Sequence, residues 1–219
     1  MPHRKQLHHD GYLLLRNAIP AEWLDALRAT FDAGYRPSEQ WPVPRGADWR
    51  HSMLDDDVRV QQVCRLPQVL AAVGELIGER FFLAQVEGRE PVGGGGHQRL
   101  HRDLSTQRPG DSVSILAYLD DYGPANGATR LVPASHRRAD CDLDDESAAM
   151  QLSGRAGDML VFDVDLVHAG SLNISAARRR TLLIGYAALP LYEQYQQTAR
   201  LRNVRMDTRE CFDPRDYRF

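Results

Sequence analysis

Hydrophobic positions along the chain follow two different periods, and the change comes near residue 78. Before it, apolar residues recur every three or four positions, which is typical of amphipathic helices. After it, short apolar runs are separated by glycine, asparagine and proline, which indicates strands joined by turns. The pattern predicts a helical N-terminal part (about 20–78), a β-rich part (about 79–188) and a C-terminal tail (189–219) that begins as a helix.

Three helices are predicted in the N-terminal part. The first begins at Pro20, since proline favours the first helical position, and ends near Ala33. The other two cover about residues 54–64 and 67–77, and Gly78 ends the last. Residues 35–53 are rich in proline, glycine and tryptophan and lack a clean period, so we expect a loop there.

Short strands dominate the second part, and Asn126-Gly127 is a strong turn signal between two of them. Many short strands preceded by helices favour a mainly β fold with helical cladding, a jelly-roll or double-stranded β-helix barrel of the cupin-like kind. A length of 219 residues suits one domain, so we expect 1–219 to form a single unit. The predicted strands are 81–87, 112–119, 129–133, 159–163 and 179–187.

Composition narrows the class of protein. Lys+Arg 27 against Asp+Glu 30 gives no basic field for nucleic acid. Three cysteines without a C-x-x-C indicate reduced thiols rather than a disulfide framework. The polar N-terminus lacks a signal core, and no run approaches the ~18 apolar residues of a membrane span. We therefore expect a cytoplasmic protein without a membrane or nucleic-acid partner; composition does not indicate the oligomeric state.

Candidate chemistry lies in His101-Arg102-Asp103 and in His168. Residues i and i+2 of a strand share a face, so the first pair can converge on one cation. Two histidines and a carboxylate that leave open positions form the facial triad of non-haem Fe(II) oxygenases. His8-His9-Asp10 has the same spacing but lies in a polar terminus. The glycine run 93–96 lacks the G-K-[ST] of a phosphate loop, and we expect a flexible connection.

Several further segments follow His101-Arg102-Asp103-Leu104 in a fixed order: Leu119-Asp120-Asp121, Asn126-Gly127-Ala128-Thr129-Arg130-Leu131-Val132-Pro133-Ala134-Ser135-His136, Gly157-Asp158-Met159-Leu160-Val161-Phe162, His168-Ala169-Gly170-Ser171-Leu172-Asn173-Ile174-Ser175, Arg178-Arg179-Arg180 and Tyr186. In this order the segments resemble the phytanoyl-CoA dioxygenase-like family over nearly the whole chain. The resemblance implies a double-stranded β-helix fold and an oxygenase that uses Fe(II), 2-oxoglutarate as co-substrate, and O2.

The resemblance also implies roles for single residues. Ala169-Gly170 stands where the family commonly has Gly-Ser, so Ser171 is expected to supply the missing hydroxyl contact to 2-oxoglutarate, or the contact is absent. The implied iron ligands are His101, Asp103 and His168, the implied cofactor arginine is Arg179, and Leu116 and, more loosely, Leu83 are expected to line the 2-oxoglutarate pocket.

Strand alternation offers a separate test of the arginine, because three arginines are adjacent. If Arg179 points inward, Thr181 and Gly185 share its face and leave room for a ligand. If Arg178 or Arg180 points inward, bulky alternate residues would crowd the interior. Arg179 is therefore preferred.

Hydroxylation of an unactivated C–H bond of a small molecule, with release of succinate and CO2, is the leading hypothesis. The triad does not choose between this outcome and desaturation, epoxidation or ring closure, but Asp103 argues against halogenation, since related halogenases have a small residue there. Two alternatives of other classes also stay open: a cupin-type metalloenzyme that does not use 2-oxoglutarate, and a catalytically silent binding module. Arg89 and Gln85, just upstream of the glycine run, are weak candidates for substrate contact.

Overall fold

A computed structural model describes residues 2–103, 110–175 and 177–219 of the chain. Its described strands form two antiparallel sheets. The strands are β1 Tyr12–Leu15, β2 Tyr35–Arg36, β3 Trp49–Ser52, β4 Phe81–Pro91, β5 Ser112–Tyr118, β6 Arg130–Leu131, β7 Met150–Gln151, β8 Met159–Asp163, β9 His168–Ala169, β10 Thr181–Ala188 and β11 Cys211–Phe212. The larger sheet has the order β1-β8-β5-β10-β4-β3-β2, with β11 paired to β4, and the smaller has the order β7-β6-β9.

Helices accompany the sheets, as the sequence predicts. Short 3-10 turns, such as Ala21–Trp23 and Leu189–Leu191, join several elements. The helices are α1 Pro2–Asp10, α2 Leu24–Gly34, α3 Val58–Val63, α4 Pro67–Ile77 and α5 Tyr192–Thr198.

The two faces of the large sheet have different neighbours. Along β5, Val113, Ile115 and Ala117 are buried in the main hydrophobic core, which includes residues of α2, α3 and α4. The alternating residues Ser114 and Leu116 line a cavity, which Val113 also reaches near the start of the strand. Successive side chains of a strand point to opposite faces. One face of the sheet therefore binds the helices and the other forms the wall of a site.

Helix boundaries follow local capping. α4 covers the predicted residues, and Gly78 ends it with a positive φ of 73°. The helix predicted for 54–64 is too long. α3 begins at Val58, because the Asp57 side chain accepts hydrogen bonds from the backbone N–H groups of Arg59 and Val60 and so caps the helix. The sequence of the tail predicts a helix through Leu201, but α5 is shorter and ends at Thr198.

The predicted loop 35–53 contains two strands, β2 and β3. β4 continues to Pro91, beyond the predicted end at residue 87, and its extra length pairs with β3, where His51 lies opposite Arg89. A strand of four residues is too short to give a clear period. The polar terminus 2–10 is likewise a helix, anchored by Leu7, which is fully buried.

The glycine run 93–96 is not a flexible connection. The Gly94 N–H donates to the Asn173 carbonyl, and the Asn173 N–H donates to the Gly95 carbonyl. Gly94 and Gly96 have φ values of 78° and 86°, which side chains rarely adopt. The glycine run therefore forms a turn of defined conformation, which is held by backbone hydrogen bonds to the segment that follows His168.

Candidate metal centre

Two histidines are brought together by backbone pairing. The His101 N–H donates to the His168 carbonyl at 3.0 Å, and the His168 N–H donates to the His101 carbonyl at 2.9 Å. Because the two residues are directly opposite, their ring centroids are only 4.7 Å apart. Asp103 follows, and its N–H donates to the Val164 carbonyl at 3.2 Å. One ligand atom from each of the three side chains lies within 4.8 Å of the others.

Both imidazoles are oriented by carbonyl groups. Nδ1 of His101 lies 2.8 Å from the Arg99 carbonyl, and Nδ1 of His168 lies 2.8 Å from the Leu166 carbonyl. A carbonyl oxygen only accepts, so each ring donates from Nδ1 and keeps the Nε2 lone pair free for a metal.

The free nitrogens face one carboxylate. Nε2 of His101 lies 3.9 Å from Oδ1 of Asp103, and Nε2 of His168 lies 3.8 Å from Oδ2 of the same carboxylate. Burial lowers the pKa of His168, which favours the neutral form that binds metals. Two imidazole nitrogens and one carboxylate, with a cavity on the remaining side, match the ligand set of a non-haem Fe(II) centre.

A cavity of about 660 Å³ adjoins the three ligands and lies against the inner face of the large sheet. Leu116, Thr181, Leu183 and Gly185 form its floor. The neighbouring residues of β10, Leu182 and Ile184, are in the main core on the opposite face. The strand face that the sequence favours for Arg179 is therefore the face that lines this cavity.

Arg179 is 3% exposed and lines the same cavity. Its guanidinium carbon lies 4.7 Å from the Tyr122 ring centroid and 5.6 Å from that of Trp49. Its Nε has no hydrogen-bond partner in the described part of the chain. A buried cation with an unsatisfied donor, facing a cavity, fits an anionic ligand such as the distal carboxylate of 2-oxoglutarate.

The flanking arginines have other partners. Arg178 pairs with Glu90 at 2.7 Å and with Asp32 at 2.8 Å. Arg180 pairs with Asp120 at 2.9 Å, and neither side chain lines the cavity. Of the three adjacent arginines, only Arg179 is available to a ligand there.

Leu116, Gln85 and Arg89 line the cavity as expected, but Leu83 does not. A bulge between β4 and β10 pairs Gly185 with Gln85 but Tyr186 with Leu83. The extra residue reverses the alternation, so Leu83 turns into the main core. Our prediction that Leu83 lines the pocket is wrong for this reason.

Ser171 does not line the cavity, which favours the second alternative, in which the hydroxyl contact to 2-oxoglutarate is absent. Its Oγ accepts a hydrogen bond from Arg130 at 3.4 Å. Gly170 lines the cavity instead, and its N–H donates to Oε1 of Gln98 at 3.0 Å. A Cβ on Gly170 would lie 2.7 Å from the Gly96 carbonyl oxygen. A side chain there has no room.

Several cavity residues were missed from the sequence. Trp49 lies in the predicted loop 35–53, which has no clean period and no signal for a site. Tyr122 is stacked on Tyr118 at 3.6 Å between centroids, and α5 contributes Tyr195. Outside the cavity wall, the Arg102 guanidinium donates to the carbonyls of Ser135, Asp165 and Arg138.

Two buried carboxylates beside the site have opposite pKa shifts. Burial alone raises the pKa of Glu87, but Arg89, His51 and Arg45 outweigh it and lower this pKa to about 2. For Asp163, burial and the neighbouring carboxylates Asp165 and Asp111 raise the pKa to about 6, against the backbone hydrogen bond from Asp165. Glu87 is therefore held as an anion, whereas Asp163 is costly to ionise.

No helix of the described residues is long and apolar enough to cross a membrane.

The chain is similar to known proteins both in sequence and in structure. The family model described as phytanoyl-CoA dioxygenase (PhyH) matches residues 7–181. Dioxygenase FUM3 of Gibberella moniliformis is 27% identical over 153 residues, 65% of this chain and 49% of that protein. The iron/alpha-ketoglutarate-dependent dioxygenase ausU of Aspergillus calidoustus is 26% identical over 210 residues, 82% of this chain and 68% of that protein.

Solved structures with the same fold include enzymes that were crystallised with cofactors. HygX of Streptomyces hygroscopicus, with nickel, 2-oxoglutarate and hygromycin B bound, gives a TM-score of 0.70 at 17% identity, over 85% of this chain and 87% of that one. The epimerase SnoN, in complex with Fe3+, alpha ketoglutarate and nogalamycin RO, gives 0.69 at 18% identity, over 85% and 82%.

These matches confirm the predicted jelly-roll class and support the predicted class of enzyme and its cofactors. The chain spans about half the length of the first of these relatives and about two thirds of the second. Since the PhyH model covers most of the sequence, the chain belongs to the phytanoyl-CoA dioxygenase family.

Proposed function

We propose that this protein is an Fe(II)- and 2-oxoglutarate-dependent oxygenase that hydroxylates an unactivated C–H bond of a small molecule, with release of succinate and CO2. The observation that carries the proposal is the joint presence, in one cavity, of a His-Asp-His ligand set and a buried arginine with an unsatisfied donor. The first suits iron and the second suits a dicarboxylate.

The chain's own residues hold and orient the reacting groups. His101, Asp103 and His168 would bind the iron, with both rings fixed by carbonyl groups before metal arrives. Arg179 would bind the distal carboxylate of 2-oxoglutarate, over the floor made by Leu116 and Leu183. Iron and 2-oxoglutarate, when bound, supply the oxidising chemistry; the protein positions them and excludes water.

Iron binding separates this proposal from a silent module. His101→Ala and Asp103→Ala remove ligands, so bound Fe(II) and the conversion of 2-oxoglutarate to succinate should both fall to background. His97→Ala is the matched control, because His97 is exposed and does not line the cavity. Iron content is measured on anaerobically reconstituted protein, and succinate is measured after 2-oxoglutarate and O2 are added to the same samples. Equal iron content in all three variants would refute the ligand assignment.

The outcome of the reaction is tested by the mass of the product. SnoN is an epimerase of the same fold, and epimerisation leaves the mass of its substrate unchanged. Hydroxylation adds one oxygen atom, which comes from O2 in this class of reaction. A product that carries ¹⁸O after a reaction under ¹⁸O2 supports hydroxylation, and a product of unchanged mass refutes it.

A further inference from the structure

The charges around the cavity are unbalanced. Among the described residues that line it, three are arginines (Arg89, Arg179 and Arg202) and one is a carboxylate, Asp103. The charge of Fe(II) would cancel that of the 2-oxoglutarate dianion, and the negative charge of Asp103 would cancel the positive charge of Arg179. Two cationic side chains then remain in the part of the cavity that a substrate would fill. The chain as a whole has a net charge of −3, so this positive region is local.

Arg89 is the cation with free donors. Its Nε donates to Oε1 of Glu87 at 2.6 Å, and its two terminal nitrogens have no hydrogen-bond partner within the described ranges. Its side chain is 36% exposed, so the terminal nitrogens can reach a ligand. Glu87 does not neutralise it fully, because Arg45 binds the other carboxylate oxygen at 2.7 Å. Two arginines share one carboxylate and leave a net positive charge.

Arg202 forms the opposite end of this region. Its guanidinium donates to the carbonyls of Ala84 and Tyr195 and to Oε1 of Gln85, all of which are neutral acceptors. Arg202 is therefore fixed in place without its charge being cancelled by these partners. The amide oxygen of Gln85 is occupied by Arg202, so its NH2 group remains as a donor on the cavity wall.

We propose that the molecule oxidised in this site carries an anionic group, a carboxylate or a phosphate, and that the terminal nitrogens of Arg89 bind it; this inference rests on the proposed function. A guanidinium fork binds either group through two parallel hydrogen bonds. A positive region bounded by protein also raises the local concentration of such a ligand. A neutral or cationic substrate would leave the charge of Arg202 uncompensated, and that of Arg89 only partly compensated by Glu87, beside the bound cofactors.

The test measures binding rather than turnover. Protein loaded with Mn(II) and saturating 2-oxoglutarate is titrated with fluorinated aryl-alkyl carboxylates of several chain lengths, with the primary amide of each acid, and with the corresponding alkyl phosphates. Paramagnetic broadening of the ¹⁹F line reports binding near the metal. We expect the ¹⁹F lines of the acids or of the phosphates to broaden, and the lines of the amides to stay sharp. Whether acids or phosphates bind more tightly identifies the anionic group.

Variants locate the anion. Arg89→Gln should weaken binding of the preferred anion by about tenfold to a hundredfold, the effect of losing hydrogen bonds to a charged group. Arg50→Gln is the matched control: it removes one positive charge from the adjacent strand, at a residue outside the cavity wall, and should change nothing. Gln85→Glu keeps the acceptor for Arg202 but adds a negative charge, and should also weaken binding.

Three results would overturn the proposal. These are equal broadening of acids and amides in the wild type, retention of the acid preference in Arg89→Gln, and a loss of 2-oxoglutarate affinity in Arg89→Gln as large as the loss of anion affinity. The last would make Arg89 part of the cofactor site. Failure of the proposed function is separate: it would appear as no visible charge-transfer band with Fe(II) and 2-oxoglutarate in the wild type.

Discussion

The affinity for 2-oxoglutarate should depend on Arg179 far more than on either of its neighbours. Arg179→Ala removes a guanidinium that is 3% exposed and has no carboxylate partner among the described residues. A hydrogen bond to a charged group contributes about 1.5 to 3 kcal/mol, so two parallel bonds contribute about 3 to 6 kcal/mol. The expected increase in Kd is about a hundredfold to ten-thousandfold.

The assay is an anaerobic titration of the Fe(II)-loaded protein with 2-oxoglutarate, followed by the visible charge-transfer band. Arg178→Ala is the control, because it removes the same charge from a side chain that binds Glu90 and Asp32 outside the cavity. Arg179→Lys should lie between wild type and Arg179→Ala, since it keeps the charge and loses the planar fork. A larger loss in Arg178→Ala than in Arg179→Ala would refute the assignment.

Three further predictions concern stability. Gly88→Ala should lower the free energy of unfolding by about 1 to 3 kcal/mol, because the new Cβ would lie 2.7 Å from the buried Phe31 ring. Glu87 has a pKa of about 2 in the folded protein, below its unfolded value, so its ionisation adds roughly 3 kcal/mol to the free energy of unfolding above pH 4.5. This stabilisation is lost as the pH falls towards 2, and Glu87→Gln should therefore make the free energy of unfolding less dependent on pH in that range. Asp163 has a folded pKa of about 6, above its unfolded value, so its ionisation destabilises the fold as pH rises from about 4 to 6; Asp163→Asn should therefore stabilise the protein at pH 8 by about 1 to 3 kcal/mol and have little effect at pH 4.

Urea denaturation at a series of pH values measures all three predictions. Gly123→Ala is the control for Gly88→Ala, because nothing lies within 4 Å of its new Cβ. Equal stability of these two variants would contradict the packing argument. A stabilisation by Asp163→Asn that is as large at pH 4 as at pH 8 would show that charge is not its cause.

The sequence was informative where one strand face decided the outcome. Alternation along the predicted strand 179–187 groups Arg179 with Thr181 and Gly185, and all three residues line the cavity in the structure. It failed for Leu83, since a single bulge reverses the face of every residue beyond it and has no clear signal in the local pattern. The prediction of helix α4 is confirmed, because the proline at its start and the glycine at its end are local signals.

Local sequence patterns do not predict the contacts between segments that are distant in the chain. Trp49 lies on a strand that exists because β4 is long enough to pair with it, which depends on tertiary context. The pair formed by Arg45 and Glu87 joins residues 42 positions apart, and nothing in either segment indicates the other. The same holds for Tyr195 of α5, which lines the cavity although nothing in its own segment indicates this contact.

The crowding at Gly170 constrains the order in which mutations can accumulate at this site. A serine there would meet the carbonyl of Gly96, whose own backbone needs a positive φ, and the side chain of Gln98 at 3.0 Å. Gaining a hydroxyl beside His168 therefore requires an earlier change in the glycine turn. Each step alone is unfavourable, so the two segments are expected to evolve as a coupled pair. The turn far upstream thus restricts which residues can follow the distal histidine.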